Sequence, residues 1–323
     1  MSSANLSIVI PTLGRESVLL DTVRALLELE DRADEILIID QTPQHESSTE
    51  STLQQWHNAG DIRWIKRETP GIPQAMNAGL LASLGELVLF LDDDIIPAPE
   101  LVTGHRASHA KQDVDAVVGQ VIQPWQQPEE IGHPHKLRGL HTDFDFPFHS
   151  TISGRVQNVM AGNLSVVREK ALSIGGFDEQ FVGSAYRFET EFARRLVAAG
   201  GKIWFCGEAS IKHLRVPSGG TRQKGDHRAS ADPRHGVGDY YFALRHGVAG
   251  ETWRYCLKRM VREVCTKFHL VRPWYIPVKL VGEVRAWMWA RNMMASGPKL
   301  LNAEGNHSVT VKSPVVVEGN SST

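Results

Sequence analysis

Short apolar runs alternate with helically spaced apolar residues along the first hundred residues of the chain. The apolar runs predict four strands, at residues 6–10, 36–39, 62–65 and 87–91. Apolar positions three or four residues apart predict helices between them, at residues 16–29, 49–58 and 73–84. Strands that alternate with helices are typical of a mostly parallel sheet flanked by helices on both faces. We therefore predict an α/β, Rossmann-like fold with a ligand crevice at the carboxyl ends of the strands.

The pattern loosens after residue 100. It predicts further strands at 114–121, 156–161 and 209–213, and helices at 168–174, 187–199, 238–247, 251–270 and 277–296. Segments 123–155 and 214–236 have no periodicity and are rich in proline or in glycine and charge, so we expect them to be irregular. We predict an α/β unit over 1–236, a helical extension over 237–301 and a disordered tail over 302–323.

Composition narrows the class of protein. Apolar residues make up 41% and charged residues 22% of the 323 residues, as in ordinary globular proteins. The net charge of −2 argues against a dedicated nucleic-acid binder, and no apolar run approaches the ~18 residues that would span a bilayer. The polar start does not have the features of a signal peptide, and three cysteines provide no disulfide framework. We expect a cytoplasmic protein with reduced thiols.

Three consecutive acidic residues, Asp92, Asp93 and Asp94, follow the fourth predicted strand directly. Side chains alternate along extended backbone, so Asp92 and Asp94 can point the same way while Asp93 points elsewhere. Two carboxylates at a strand end suit a divalent cation such as Mg²⁺ or Mn²⁺. The alternative is a solvated turn, although three adjacent anions repel each other unless a positive group neutralises them.

Other polar groups fall at the same predicted edge of the sheet. Pro11 and Thr12 end the first strand, Asp40 ends the second, and Gly71 and Asn77 bracket the turn into the helix before the fourth. Each of these residues alone is equally typical of a turn or a cap. Their convergence with the acidic triplet favours a ligand crevice.

The sequence resembles the family 2 glycosyltransferases, which have the GT-A fold. The resemblance rests on an ordered set of segments, SIVIPT at 7–12, EILIID at 35–40, GIPQAMN at 71–77, LFLDDD at 89–94, AGNLS at 161–165, GGFDE at 175–179 and FETEFARRL at 188–196. It implies transfer of a hexosyl or deoxyhexosyl group, with inversion, from a nucleotide-sugar donor to a glycan or lipid-linked acceptor in cell-surface polysaccharide or glycolipid synthesis. It also implies a nucleotide-sugar half over about 1–122, an acceptor half over about 123–213 and a flexible lid over 214–236.

The resemblance assigns roles to single residues. It implies nucleotide-sugar contacts by six residues, Pro11, Thr12, Asp40, Asn77, Asp92 and Asp93. It implies a Mn²⁺ or Mg²⁺ site with Asp94, Asp92 and His213 as ligands, and an acceptor pocket at Gly162 and Asn163. Two positions depart from the family pattern, because Met76 stands where arginine is common and Gln41 where an acidic residue is common. These departures leave the nucleotide base open.

Glu189 falls where the family's catalytic base stands, with Glu191 as the reserve candidate. An inverting transfer requires a carboxylate that takes the proton of the acceptor hydroxyl. The alternative is that the two glutamates are first-turn acids that complement the helix dipole.

The segment after His213 offers groups that could cover a diphosphate. Arg215, Thr221 and Arg222 would supply its donors, although a plain solvated loop stays possible for the same composition. Histidines 133, 135, 141 and 149 match no compact zinc motif.

Residues 251–299 are basic and carry four tryptophans. Ten Lys and Arg against three Glu give a net charge of +7. Basic amphipathic helices with tryptophan bind anionic membrane surfaces, which predicts peripheral attachment to the inner face of a membrane. The alternative is a helical subdomain that packs its tryptophans on the catalytic core.

Two other classes of function stay open at this stage. A sugar-nucleotidyltransferase would need a glycine-rich basic loop after the first strand, and PTLGR at 11–15 is a poor version of one. A nicotinamide dehydrogenase would need G-x-G-x-x-G there, which is absent from this sequence. A binding protein that kept the fold and lost turnover is the non-enzyme alternative, against which the acidic triplet and Glu189 argue.

Overall fold

The computed structural model describes residues 4–133, 139–140, 146–220 and 226–302. The strands are β1 (Leu6–Thr12), β2 (Glu35–Asp40), β3 (Arg63–Lys66), β4 (Leu87–Leu91), β5 (Ile95–Pro97), β6 (Ala116–Ile122), β7 (Gly154–Val156), β8 (Asn163–Val167) and β9 (Ile203–His213). The helices are α1 (Ser17–Leu27), α2 (Ser47–Ala59), α3 (Ile72–Ala82), α4 (Leu101–Gln112), α5 (Arg168–Ser173), α6 (Phe188–Ala198), α7 (Val237–His246), α8 (Ala249–Val264), α9 (Lys267–Val271) and α10 (Tyr275–Ser296).

The strands form one sheet in the order β3-β2-β1-β4-β8-β6-β9-β5, and β7 also pairs with β9. Strands β1 to β4 pair in parallel, as their alternation with helices predicts. Strand β8 runs antiparallel between β4 and β6, and β5 and β7 run antiparallel to β9. The α/β fold with flanking helices is therefore confirmed, and the sheet as a whole is mixed.

Both faces of the sheet are buried, and successive residues of each strand enter opposite cores. Val9 and Phe90 lie in the core that includes α3 and α6, while Ile8 and Leu89 lie in the core that includes α1 and α4. This alternation explains why the strands read as continuous apolar runs in the sequence.

Some elements differ from the sequence prediction. The predicted strand at 156–161 is wrong, because extended backbone instead forms β7 and β8 on either side of that segment. Helix α4, strand β5 and the first half of β9 were not predicted. Helix α4 buries Gly104, His105 and Ser108 on its inner face, so its apolar spacing is weak.

The C-terminal helices are held to the rest of the protein by a buried cluster of charges. Asp239 on α7 is fully buried and pairs with Arg259 on α8 and with Arg187, which precedes α6. Arg259 also lies 3.1 Å from Glu283 on α10, whose other oxygen lies 3.0 Å from Lys279. This Asp239 cluster joins α7, α8 and α10 to the start of α6.

Helix α7 also shares an apolar core with the α/β unit. Its Tyr240, Tyr241 and Phe242 are fully buried in the cluster that contains Phe181 and Phe192. The predicted boundary at 236/237 stays a prediction, since α7 packs as an inner layer of the same core. No helix among the described residues is long and apolar enough to cross a bilayer.

We expect replacement of Asp239 by Asn to lower the free energy of unfolding by about 3–5 kcal/mol, because it leaves two buried guanidinium groups without their carboxylate. Asp21→Asn is the matched control, since Asp21 pairs with Arg24 at the surface and such pairs contribute at most about 1 kcal/mol. Urea unfolding measures both. Equal midpoints for the two variants would show that the cluster does not stabilise the fold.

Candidate active site

The pairing of the strands brings the acidic triplet into contact with two other segments. Strands β1 and β4 pair in parallel register, and beyond their paired residues Thr12 donates a hydrogen bond to Asp93 (2.7 Å). On the other side Ile95 pairs with His213 in the β5–β9 ladder, which sets Asp94 beside the end of β9. Sheet register therefore assembles the site.

Asp93 points into the protein and away from its two neighbours, as alternation predicts. It is buried, and Arg15 Nε lies 3.1 Å from its Oδ1. Burial raises the pKa of Asp93 to about 6, and the negative charges of Asp94 and Asp92 raise it further. Arg15 and the hydrogen bond from Thr12 act to lower this pKa. Asp93 thus supports the site from inside the protein, and its predicted contact with the nucleotide sugar stays a prediction.

Asp94 and Asp92 both lie near the imidazole of His213. Its Nε2 is 3.1 Å from Asp94 Oδ1 and 3.6 Å from Asp92 Oδ2, while its Nδ1 lies 3.1 Å from Gln123 Oε1. Burial alone would raise the pKa of Asp94. The pKa is nevertheless below its ordinary value, because Asp94 interacts with His213, the Val216 amide and Arg15. The side chain of Asp92 is 41% exposed, so it faces the crevice.

The carboxylates of Asp92 and Asp94 and the imidazole of His213 are groups that can bind a divalent cation. Two ligands at right angles around a cation at about 2.1 Å lie about 3 Å apart, close to the separations from His213. A metal-binding histidine typically donates a hydrogen bond from its other ring nitrogen, and here the acceptor is Gln123 Oε1. Among the described residues no three His, Cys, Asp or Glu side chains form a ready-made metal centre, so a bound cation would need further oxygen ligands.

Arg15 is the site residue that sequence reasoning missed. It is buried, and its guanidinium contacts Asp93, Asp94 (3.2 Å) and the carbonyl groups of Val216 (2.9 Å) and Ser218. Its signal was present, since PTLGR at 11–15 follows β1 at the edge where the acidic triplet lies. Arg15 neutralises the two inner carboxylates of the triplet and ties residues 214–220 to them.

Residues 214–220 lie against the site. The Val216 amide donates to Asp94 Oδ2 (2.9 Å), and the Gly220 amide donates to the Leu13 carbonyl (2.6 Å). Arg215 adopts a left-handed backbone conformation (φ 52°) and stacks over Trp125 at 4.7 Å. Thr221 and Arg222, the other predicted lid residues, lie outside the described residues. The predicted lid role stays a prediction.

Glu189 lies in the first turn of α6 and reaches the segment that contacts Asp92. Its Oε1 accepts a hydrogen bond from the Ala161 amide (2.7 Å), and the next residue, Gly162, accepts one from the Asp92 amide (3.3 Å). A Cβ on Gly162 would lie 2.3 Å from Asp92 Oδ2, so a larger residue there would displace the Asp92 carboxylate. Asp92 and Glu189 are therefore hydrogen-bonded to the backbone of two adjacent residues, Gly162 and Ala161.

Glu191 lies two residues further on, and on a helix this places it on the opposite side. It is fully buried and pairs with Arg195 (2.7 Å) and Arg245 (3.0 Å). These two arginines and His246 lower the pKa of Glu191 strongly, despite burial, which alone would raise it. Glu191 is thus held by buried ion pairs, and its place as reserve base stays a prediction.

Arg187, just before α6, fixes where that helix begins. It adopts a left-handed conformation (φ 77°) that a residue with a Cβ rarely takes and that costs about 1–3 kcal/mol. Its side chain pairs with Asp239 and donates a hydrogen bond to the Tyr255 hydroxyl oxygen at 3.4 Å. The Asp239 cluster therefore holds the turn that presents Glu189.

Three predicted contact residues have buried side chains with partners inside the protein, and their predicted contacts stay predictions. Asp40 accepts hydrogen bonds from the Thr42 amide and the Trp64 indole, and Asn77 bonds to the backbone of Phe177. The Asn163 side chain, predicted to line the acceptor pocket, is fully buried and donates to the carbonyls of Gln120 and Ala209. All three hold the loops of the site. Pro11 is partly exposed beside them, and its predicted contact stays a prediction.

Two histidines of the histidine-rich segment, His133 and His149, lie within the described residues and have protein partners. His133 bonds to the Ile152 carbonyl and stacks on Phe205, while His149 lies near Gln126. His135 and His141 lie outside the described residues.

Solved structures resemble this fold at low sequence identity. GalNAc-T7 with UDP, GalNAc and Mn²⁺ has a TM-score of 0.58 at 18% identity, with 85% of this chain and 56% of that chain covered. S. aureus TarS 1-349 in complex with UDP-GlcNAc has a TM-score of 0.58 at 15% identity, with 88% and 79% covered.

A third neighbour comes from an archaeon. The mannosyltransferase PcManGT from Pyrobaculum calidifontis, in complex with GDP-Man and Mn²⁺, has a TM-score of 0.52 at 17% identity, with 91% and 79% covered. These likenesses confirm the GT-A fold that the sequence resemblance implied. The chain spans little more than half of the GalNAc-T7 chain.

Sequence comparison gives the family. A search of curated proteins found no match, whereas the model of the family described as "Glycosyl transferase family 2" matches residues 7–169. The matched segment covers half of the chain and contains β1, the acidic triplet and β8. This chain belongs to glycosyl transferase family 2.

Proposed function

We propose that this protein is a cation-assisted, inverting glycosyltransferase that uses a nucleotide-sugar donor. The observation that carries the proposal is the arrangement around Ala161 and Gly162. The amide of Asp92, whose side chain lies near His213, donates a hydrogen bond to the Gly162 carbonyl. The Glu189 carboxylate accepts one from the Ala161 amide. A donor held by the acidic group and an acceptor hydroxyl beside Glu189 would then lie next to each other.

A divalent cation would be held by Asp94, Asp92 and His213. When bound, Mn²⁺ or Mg²⁺ neutralises charge on the diphosphate leaving group. The protein prepares this site in two ways. Arg15 balances the inner carboxylates and leaves Asp94 Oδ1 directed at His213, and the contact with Gln123 fixes the imidazole. The neighbouring structures contain Mn²⁺ with UDP or GDP-Man, which supports this choice of ion.

Glu189 is proposed as the general base. Its carboxylate is only partly buried, and one of its oxygens accepts the Ala161 amide, which fixes its direction. The N-terminal end of α6 favours the ionised form, which is the form that can accept the proton of the attacking hydroxyl. Attack by that hydroxyl on the face of the sugar opposite the diphosphate gives inversion.

The acceptor in this proposal is a glycan or a lipid-linked sugar, in cell-surface polysaccharide or glycolipid synthesis at the inner face of a membrane. The support is indirect. The crevice is flanked by Trp125, which is 65% exposed and stacks with Arg215. An exposed aromatic ring at a polar crevice offers an apolar surface against which a sugar ring can pack.

Nucleoside diphosphate release from a panel of UDP-, GDP- and dTDP-sugars, measured with Mn²⁺ and with EDTA, tests the reaction type. We expect release from one donor class that EDTA suppresses. Pyrophosphorolysis of a nucleotide sugar would identify a nucleotidyltransferase instead. Tight binding of a nucleotide sugar without turnover in the presence of acceptor extracts would identify a binding protein.

The acidic ligands can be tested without knowledge of the acceptor. We expect Asp94→Asn and Asp92→Asn to weaken Mn²⁺-dependent binding of UDP or GDP by about 10- to 100-fold or more, because each change removes a charged oxygen ligand. Isothermal titration calorimetry measures the affinity. Asp61→Asn, at an exposed position, is the control and should bind as wild type does. Undiminished Mn²⁺-dependent binding in both site variants would contradict the cation assignment.

The base assignment has a control within the chain. We expect Glu189→Gln to bind donor normally and to transfer sugar about 10²- to 10⁴-fold more slowly, because the amide cannot accept the proton. Glu169 occupies the same position in the first turn of α5 and is exposed, so Glu169→Gln should leave kcat unchanged. Equal, small effects in the two variants would mean that Glu189 serves only the helix dipole.

Arg15 is expected to hold residues 214–220 on the site. Arg15→Gln should lower the free energy of unfolding by about 3–5 kcal/mol, since it leaves two buried carboxylates unbalanced. It should also speed proteolytic cleavage within 214–220, and Mn²⁺ with UDP should partly reverse this. Arg24→Gln, which alters a surface pair, is the control. If cleavage of this segment does not change in Arg15→Gln, the segment is held by other contacts.

A further inference from the structure

Helix α8 carries a row of exposed apolar side chains. Trp253, Leu257 and Val261 follow each other at intervals of four residues and are 64%, 50% and 51% exposed. The buried side of the same helix consists of Tyr255, Cys256 and Arg259. Since each residue turns the helix by about 100°, the exposed row lies on the side opposite the buried one.

Helix α10 repeats this arrangement over its greater length. Its buried side carries Lys279, Glu283 and Ala286, within the Asp239 cluster or beside it. Its opposite side carries Val278, Val281, Val284 and Met288, all exposed. A helix with apolar residues on both sides is ordinarily covered on both. We call the exposed apolar residues of α8 and α10, with Leu270, Val271 and Trp274 between them, the outer face.

The charges around the outer face have one sign. Every exposed charged side chain between residues 249 and 299 is a lysine or an arginine, among them Arg254, Lys258, Lys267, Arg285 and Arg291. The three glutamates of this region are not exposed, because Glu263 and Glu283 lie in the Asp239 cluster and Glu251 bonds to the Leu140 amide. The net positive charge of the extension is therefore concentrated on its surface.

A basic cleft of about 590 Å³ opens beside α9, next to the outer face. Arg228, Lys267 and Arg272 line it, and Phe268 forms one wall, with Arg228 at 4.5 Å and Arg272 at 5.0 Å from its ring centre. Asp226 is the one acid that lines it, and it is paired with Arg228. A cleft of this size and charge fits an anionic head group.

We propose that the outer face binds the surface of an anionic lipid bilayer, with the cleft beside α9 taking lipid phosphate groups. The positive charge around the outer face favours an anionic bilayer as its partner. Apolar side chains ringed by positive charge fit lipid tails beneath a negatively charged head-group layer. Two copies of this chain would instead bring their positive rings together. The proposal does not depend on the glycosyl transfer proposed above.

Vesicle co-sedimentation of the full chain tests the proposal. We expect binding to vesicles of phosphatidylcholine mixed with phosphatidylglycerol, little binding to phosphatidylcholine alone, and a loss of binding as salt screens the charges. Leu257→Glu and Val281→Glu should each weaken binding by at least about tenfold, since each removes an apolar side chain that enters the bilayer. Lys258→Gln should weaken it about fivefold.

Matched control positions lie outside the C-terminal extension. Leu84 is 81% exposed outside the extension, so Leu84→Glu should bind as wild type does, and Lys111→Gln on α4 controls for the loss of one charge. All five positions of change are exposed, and equal thermal midpoints will confirm that the variants are folded. Activity plays no part in these measurements, so a failed donor screen leaves their outcome unaffected.

Two results would overturn the proposal. One is binding that is equal on neutral and anionic vesicles, or unchanged in Leu257→Glu, Val281→Glu and Lys258→Gln. The other is a dimer in light scattering without lipid that Val281→Glu dissociates, which would show that a second copy covers the outer face.

Discussion

The negative charge of three consecutive aspartates has to be balanced before the carboxyl end of β4 can be buried. Arg15 balances it, because its guanidinium lies between Asp93 and Asp94. The same group donates to the backbone of residues 216 and 218, so charge balance and the position of the covering segment depend on one side chain. What stays on the solvent side is Asp92, with Asp94 Oδ1 and His213 close by. The fold in this way separates carboxylates that support the site from carboxylates that can meet a ligand.

A second charge balance, at Asp239, positions the opposite side of the crevice. Arg187 takes a strained backbone conformation, and its ion pair with Asp239 compensates for that strain. In the helix that begins after it, Glu189 is partly exposed and Glu191 is buried in the core. The C-terminal helices therefore belong to the architecture of the site, although they contribute no side chain to it among the described residues. The inner sides of these helices contact the start of α6 through the Asp239 cluster. Their opposite sides form the outer face.

The parts of the fold that could be predicted from the sequence are those with a simple burial pattern. Strands covered on both faces read as apolar runs, and β1, β2, β3 and β4 were all predicted within a few residues. Strand β8 was missed, because its Asn163 and Ser165 are polar. They bond to His105 and His109 on α4, and a strand whose inner residues find polar partners across the sheet does not show an apolar run.

The site shows the same limit. Its acidic triplet and His213 could be found because polar residues at strand ends are typical of a crevice. The same rule also selected Asp40, Asn77 and Asn163, whose side chains have hydrogen-bond partners inside the protein. The partners of Asn77 and Asn163 lie far away in the sequence. Distant partners such as these leave no local pattern. Arg15 was missed for the converse reason, since an arginine in a loop reads as a solvent-exposed residue until its carboxylate partners are known.

The antiparallel pair of β5 and β9 has a consequence for the order in which the protein forms during synthesis. Asp94 leaves the ribosome long before His213, and the ladder that sets them side by side closes only after β9 has been made. The ion pair between Arg187, in the turn before α6, and Asp239 forms later still, after Asp239 has been synthesised. Until then the nascent chain carries an acidic triplet and an unsupported turn, with contacts of high sequence separation yet to be closed. A partial chain that ends before α7 therefore contains the β5–β9 ladder but lacks Asp239, so the turn before α6 gains its ion pair only when the C-terminal helices emerge.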